Sequence, residues 1–160
     1  MRVNNYKTVL DTRTHMAYLV QEKGFNYSGM PDRKCNCAEL VVDMMRICYG
    51  IHNETEECVY LLCLDTNCKL IGTFLISRGT VNTSLVSPRE VMIKALLCNS
   101  VNIVMVHNHP SQVKEPSLAD MQITERIRQA GDIVGLSLLD HIIVCADTYY
   151  SFKEHGHIEK

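Results

Sequence analysis

The chain has 160 residues, an apolar fraction of 46% and a formal charge of -2. That is enough for one hydrophobic core, and it gives no broad basic surface for nucleic acid or anionic lipid. No apolar run approaches the roughly 20 residues that span a bilayer, so no membrane partner is expected. There are eight cysteines, but Cys58, Cys63, Cys98 and Cys145 sit in apolar runs, where a free thiol packs as a small hydrophobe. The opening Met1-Arg2-Val3-Asn4-Asn5 is polar and carries no secretory signal, so a reduced, cytoplasmic protein is expected. Cys35-Asn36-Cys37 is the one close pair, and it lacks the second pair that a zinc site of that kind needs.

Residues 1–15 are polar and mixed, and read as a poorly ordered lead-in. Met16 to Val20 and Phe25 to Tyr27 suggest a short strand pair punctuated by Lys23-Gly24, followed by a loop at Ser28-Gly29-Met30-Pro31-Asp32. Asn36 is placed to cap a helix running to Tyr49, with Leu40, Met44 and Ile47 at helical spacing and Gly50 as its stop. After the acidic loop Asn53 to Glu57, the run Cys58 to Leu64 is short enough for a buried strand. Asp65-Thr66-Asn67 turns it into a return strand, Leu70 to Ile76. Ser87-Pro88-Arg89-Glu90 has the form of a helix start, with Ser at the N-cap, Pro at N1 and Glu at N3 for a capping box.

Val101 to Val106 then reads as a buried strand. A helix from Ser117 to Gly131 follows, with Ala119, Ile123, Ile127 and Ala130 as its inward stripe. Leu136 to Cys145 makes a further strand, and Tyr149 to Phe152 a short edge strand. Helices alternating with strands, and at least one hairpin, give an α/β architecture with a mixed β-sheet flanked by helices.

The stretch from His107 to Asp120 carries the chemistry. Alternate residues of a strand share a face, so His107 and His109 project together, about 7 Å apart at Cα. Asp120 follows at the start of the next helix, on the flank of the apolar stripe, where an acid needs a partner to offset desolvation. Two readings fit this pattern. In one, the histidines bond loop backbone at a sheet rim, and Ser117 and Asp120 form a capping box. In the other, all three bind a zinc ion, with Pro110 and Pro116 stiffening the loop between them.

His107-Asn108-His109-Pro110, with Ser117 and Asp120 at their spacing, resembles the JAMM pattern of the JAB/MPN metalloprotease fold, which is cytidine-deaminase-like. The closer resemblance is to the RadC-like branch: His-Asn-His-Pro-Ser at 107–111, Pro116-Ser117, Asp120 and Thr124, with Ser87-Pro88-Arg89-Glu90-Val91 upstream and Leu139-Asp140-His141-Ile142-Ile143-Val144 downstream. The resemblance implies a single domain over residues 16–160, with its core at 38–160. It implies one Zn2+ on His107, His109 and Asp120, with water as the fourth ligand. It also implies a hydrolase cutting a peptide or isopeptide amide in a protein substrate, with Glu57 as proton acceptor and Ser117 stabilising the oxyanion. Asp140 and His141 are expected to pack or hydrogen-bond against the ligands.

Two other functional classes are set beside the hydrolase. One is a DNA-associated module, the DNA-repair role that the RadC name historically implied, which the acidic charge balance does not favour. The other is a zinc-binding scaffold without catalysis. The chain departs from the RadC-like pattern in having Gln112 where the family usually carries glycine, and its N-terminal half reads as too short for the helix-hairpin-helix segment expected in longer relatives. A zinc nucleobase deaminase is excluded, because its His-x-Glu and Pro-Cys-x-x-Cys pair is absent.

Overall fold

The computed structural model describes residues 1–30, 32, 34–79 and 86–158. Its strands are β1 (Arg2–Leu10), β2 (Ala17–Asn26), β3 (Cys58–Leu64), β4 (Leu70–Arg78), β5 (Asn102–Asn108), β6 (Ser137–Val144) and β7 (Tyr149–Ser151). Its helices are α1 (Ala38–Tyr49), α2 (Pro88–Leu97) and α3 (Leu118–Val134). The strands form one sheet in the order β2-β1-β4-β3-β5-β6-β7. β1 pairs with β4, and β5 with β6, in parallel; the other neighbours are antiparallel. This is the expected α/β architecture, an open mixed sheet with helices on both faces.

The central strands explain the layering. All seven residues of β3 are buried, as befits a strand covered on both faces. Tyr60, Leu62 and Leu64 of β3, with Val104 and Val106 of β5, pack under α1 through Val41, Val42, Met44 and Met45. Val59, Leu61 and Cys63, with Ile103 and Met105, face α2 and α3 through Val91, Ala95 and Ile127. The two-residue strand period therefore carries β5 onto the α2/α3 face again at His107, where the candidate site lies.

Several expectations are corrected. Residues 1–15 are not a disordered lead-in, since Arg2–Leu10 is a full strand; its edge ribbon with β2 is mostly exposed, so it leaves little apolar alternation to read. Lys23-Gly24 does not break the second strand, which is continuous from Ala17 to Asn26. Pro31 of the expected loop lies outside the described residues. α1 is capped at Cys37 rather than Asn36, with no side-chain hydrogen bond. Ile47 is 70% exposed, and Val41, Val42, Met45 and Cys48 make the inward face with Met44. Gly50 ends the helix in the left-handed conformation, as expected.

The capping box at Ser87 does not form, because the Glu90 carboxylate turns to Arg89 and Lys94 instead. The α3 stripe falls one residue out of the expected phase: Asp120, Thr124, Ile127 and Gly131 are buried. Gly131 is not the stop either; the helix runs on to Val134 and Gly135 takes the left-handed cap. Gly131 serves a close approach instead, because a Cβ there would lie 2.3 Å from the Leu136 carbonyl oxygen.

Candidate metal centre

β5 ends by delivering His107 and His109 to the α2/α3 face, and α3 begins by delivering Asp120 to the same point. His107 Nε2 lies 3.1 Å from His109 Nε2. His107 Nε2 is 3.3 Å from Asp120 Oδ1, and His109 Nε2 is 3.4 Å from Asp120 Oδ2. A tetrahedral dication with bonds of about 2.0–2.2 Å spaces its ligand atoms about 3.3–3.6 Å apart, so this triangle has the size of a metal site. Among the described residues, this is the one group of histidine, cysteine and acidic side chains arranged to hold a metal ion. Cys35 and Cys37 are not part of any such group; burial pushes the Cys35 thiol up to about 12. All eight cysteines are free thiols.

The hydrogen bonds behind the triangle fix which ring nitrogens carry protons. The Thr124 hydroxyl donates its single proton to the Asp120 carbonyl, 2.6 Å away. Toward His141 Nδ1, also at 2.6 Å, it can then only accept, so Nδ1 carries a hydrogen. Burial holds the His141 ring well below the usual histidine range, hence neutral, with a bare Nε2. That nitrogen accepts from His107 Nδ1–H at 2.8 Å. The proton of His107 is thereby kept on Nδ1, and its Nε2 lone pair faces the triangle. His109 reaches the same state more simply, donating from Nδ1 to the Val113 carbonyl at 2.6 Å. Outer partners of this kind orient histidine ligands and set their tautomer.

The family model of the RadC-like JAB domain matches residues 35–157. The chain belongs to that family. Curated relatives agree: a UPF0758 protein of Thermotoga maritima is 41% identical over 117 residues, covering 73% of this chain and 53% of the relative. One from Pelodictyon phaeoclathratiforme is 40% identical over 134 residues, 84% of this chain and 60% of the relative. One from Methanococcoides burtonii is 39% identical over 133 residues, 82% and 57% respectively. This chain thus spans about half the length of the curated relatives it matches.

Within this RadC-like JAB domain, Asp120 does two things with two oxygens. Oδ2 accepts from the Ser117 backbone N–H at 2.7 Å and from the Ser117 hydroxyl at 2.6 Å, while the Asp120 N–H returns a bond to Ser117 Oγ. The capping box is therefore real, and it leaves Oδ1 toward His107. Burial raises the Asp120 pKa, but the adjacent His107 and His109 rings and the hydrogen bonds from Ser117 overcome that and hold the carboxyl well below the usual range. Burial likewise depresses His109, yet its bonds to Asp120 and to the Val113 carbonyl win and raise it. Both shifts favour a proton shared between His109 and Asp120 when no ion supplies the positive charge.

Glu57 lies half-buried across a cleft of about 260 Å³ that it shares with His109, Val113, Glu115, Ser117 and Asp120. Burial pushes its pKa up, as does the Asp120 charge, against the lowering pull of His107 and His109. Ser117 lines the same cleft, with its hydroxyl proton turned to Asp120.

His141 stands behind His107, as described, and stacks on Phe152. Asp140 does not stand with it. Its Oδ1 accepts from the His141 and Lys153 backbone N–H groups, and its Oδ2 from the Ser151 hydroxyl, so it anchors the turn after β7. Strand alternation sends neighbouring side chains to opposite faces, which is why the pair separates.

Sequence reasoning missed three groups: Thr124 as the head of the proton order, the Val113 carbonyl as the partner of His109, and Asn108 beneath the Glu57 loop. Thr124 lies on the same helix face as Asp120, four residues on, which a correctly phased stripe would have revealed. Gln112 adopts φ +61°, the left-handed conformation that a glycine takes freely. Its side chain compensates by accepting from Ala146 N–H at 2.7 Å and donating to the His109 carbonyl at 3.3 Å.

Proposed function

We propose that this RadC-like JAB domain is a zinc-dependent hydrolase of peptide or isopeptide amide bonds. The observation that carries the reading is the converging donor triangle of His107, His109 and Asp120, with both imidazole protons held on the far nitrogens, opposite the raised carboxyl of Glu57. Two imidazoles and one carboxylate, with the cleft left open beside them, form the donor set of a catalytic rather than a structural zinc site. A bound Zn2+ supplies Lewis acidity for a carbonyl and lowers the pKa of water.

The protein's own groups do the rest. His107 and His109 would hold the ion through Nε2, and Asp120 through Oδ1, while Ser117 secures the other Asp120 oxygen. Glu57 takes a proton from the attacking water and passes it to the departing amine. Its partly buried carboxyl, with a pKa pushed up by burial, suits both halves of that transfer. When substrate enters, the Ser117 hydroxyl turns its proton from Asp120 toward the developing oxyanion.

The test is metal analysis of the purified protein beside His107→Ala and Asp120→Ala, together with hydrolysis of a mixture of internally quenched peptides. Near one equivalent of zinc in the wild type, lost in both variants, is expected. Glu57→Gln is expected to keep the metal and abolish turnover. Full zinc occupancy in both ligand variants, or undiminished turnover by Glu57→Gln, would overturn the assignment.

A further inference from the structure

Asn108 is the residue between the two histidines, and it points to the other face of β5. It is 1% exposed. Its Oδ1 accepts from the Cys58 backbone N–H at 2.8 Å. Its Nδ2 donates to the carbonyls of Glu56 at 3.0 Å and of Glu54 at 3.3 Å. All three bonds go to main chain on the two sides of Glu57. They begin where the β3–β5 ladder stops, since its last rung pairs Val59 with His107. The side chain thus continues the ladder beyond the sheet. From the opposite side, the Glu57 carbonyl is held by the Gly79 N–H at 2.9 Å.

We propose that Asn108 is a positioning residue, which sets the Glu57 carboxyl at a fixed place relative to the His107–His109 pair. The inference rests on the reading of Glu57 as proton acceptor, and it adds how that acceptor is placed. The chemistry of the position is narrow. The loop offers one N–H donor and two carbonyl acceptors, and a primary amide of this length matches them with one acceptor and two donors. A carboxylate would still accept from Cys58 but would face two carbonyl oxygens with no proton to give. A methyl group would leave the buried Cys58 N–H and the two partly buried carbonyls without this partner. Because Asn108 is bonded covalently to both histidines, any shift of the end of β5 carries ligands and proton acceptor together. The exposed alternative anchor, Arg78 on Glu54 and Glu56, is a surface pair and holds the loop only weakly.

The experiment compares the wild-type protein with Asn108→Asp, and with Asn108→Ala as a second variant. Amide hydrogen exchange, Zn2+ affinity by competition with a chromophoric chelator, and turnover of internally quenched peptides are measured on each. Exchange at residues 54–58 is expected to speed up at least about 10-fold while α3 keeps its protection. Zn2+ affinity is expected to stay within about 3-fold, unlike that of His109→Ala, since no ligand is altered. Turnover is expected to fall about 100-fold in kcat with KM nearly unchanged.

Unchanged exchange at 54–58 in both variants would overturn the proposal. So would a loss of Zn2+ affinity as large as that of His109→Ala, because Asn108 would then serve the ligands alone. If the zinc-loaded wild type cleaves no peptide, the hydrolase reading falls, and the exchange and affinity results decide the placement of the loop by themselves.

Discussion

Thr124→Val tests the proton order behind the ligands. Valine has nearly the shape of threonine, so the substitution removes a hydroxyl without opening a cavity in the buried row of α3. Two 2.6 Å bonds disappear, one to the Asp120 carbonyl and one to His141 Nδ1. His141 is 1% exposed, so its Nδ1–H would be stranded at a cost of about 1–3 kcal/mol. The ring can escape by moving its proton to Nε2. That nitrogen would then donate to His107 Nδ1 and force the His107 proton onto Nε2, where it occupies the lone pair needed for a metal. Retaining the original tautomers costs the stranded N–H, and switching them costs the ligand.

Spread over that equilibrium, about 1–3 kcal/mol corresponds to a loss of about 5- to 150-fold in metal affinity. Chelator competition with Zn2+ measures it, and circular dichroism verifies the fold. Thr124→Ser keeps the hydroxyl and is expected to bind within about 3-fold of wild type. A folded Thr124→Val protein with wild-type affinity would refute the proton order.

Three further outcomes follow from the same geometry. In the metal-free protein the His109 pKa is raised above its unfolded value, so its stabilising contribution is complete below about pH 6.5 and is lost as pH rises through the folded value. The depressed Asp120 pKa acts at the other end, with a contribution present above its unfolded value and lost only in strong acid. Urea titrations of metal-free protein across pH 6–9 are expected to show stability declining, and a flat or rising profile would contradict the His109–Asp120 proton. At Gln112, alanine keeps the positive φ and loses both side-chain bonds, whereas glycine loses the bonds and relieves the strain. Gln112→Ala is therefore expected to cost about 1–2 kcal/mol and Gln112→Gly about 1 kcal/mol less, read from denaturation midpoints. Gly131→Ala drives a methyl against the Leu136 carbonyl and is expected to cost about 2–3 kcal/mol, seen as a lowered Tm with helix content retained.

The sequence was most legible where burial is strongest. β3 and β5 announce themselves as unbroken apolar runs because both faces are covered, and the His-x-His pair is readable because the strand period is fixed. The β1–β2 ribbon was illegible for the opposite reason: with most of its side chains in water, nothing forces an alternation. The α3 stripe is one residue out of phase because an apolar pattern gives no weight to Thr124 and puts Asp120 only on its flank, whereas both lie in the buried row, held by bonds to each other, to His141 and to Ser117. Such burial follows from tertiary partners, which a pattern of apolar residues does not encode. Asp140 and His141 could be picked out from sequence, but only the observed strand register separates the residue behind the ligand from the one that holds the tail.

The proton order also sets a sequence of events during synthesis. His107 and His109 leave the ribosome before Thr124, and His141 follows 34 residues after His107. A nascent chain that has just exposed its histidines therefore offers imidazoles free to choose either tautomer, with no better claim on a metal than any short peptide. Selective capture of an ion must wait until β6 docks beside β5 and closes the relay. Chains arrested with residue 141 still inside the exit tunnel are expected to release Zn2+ to a chelator that leaves the finished protein loaded.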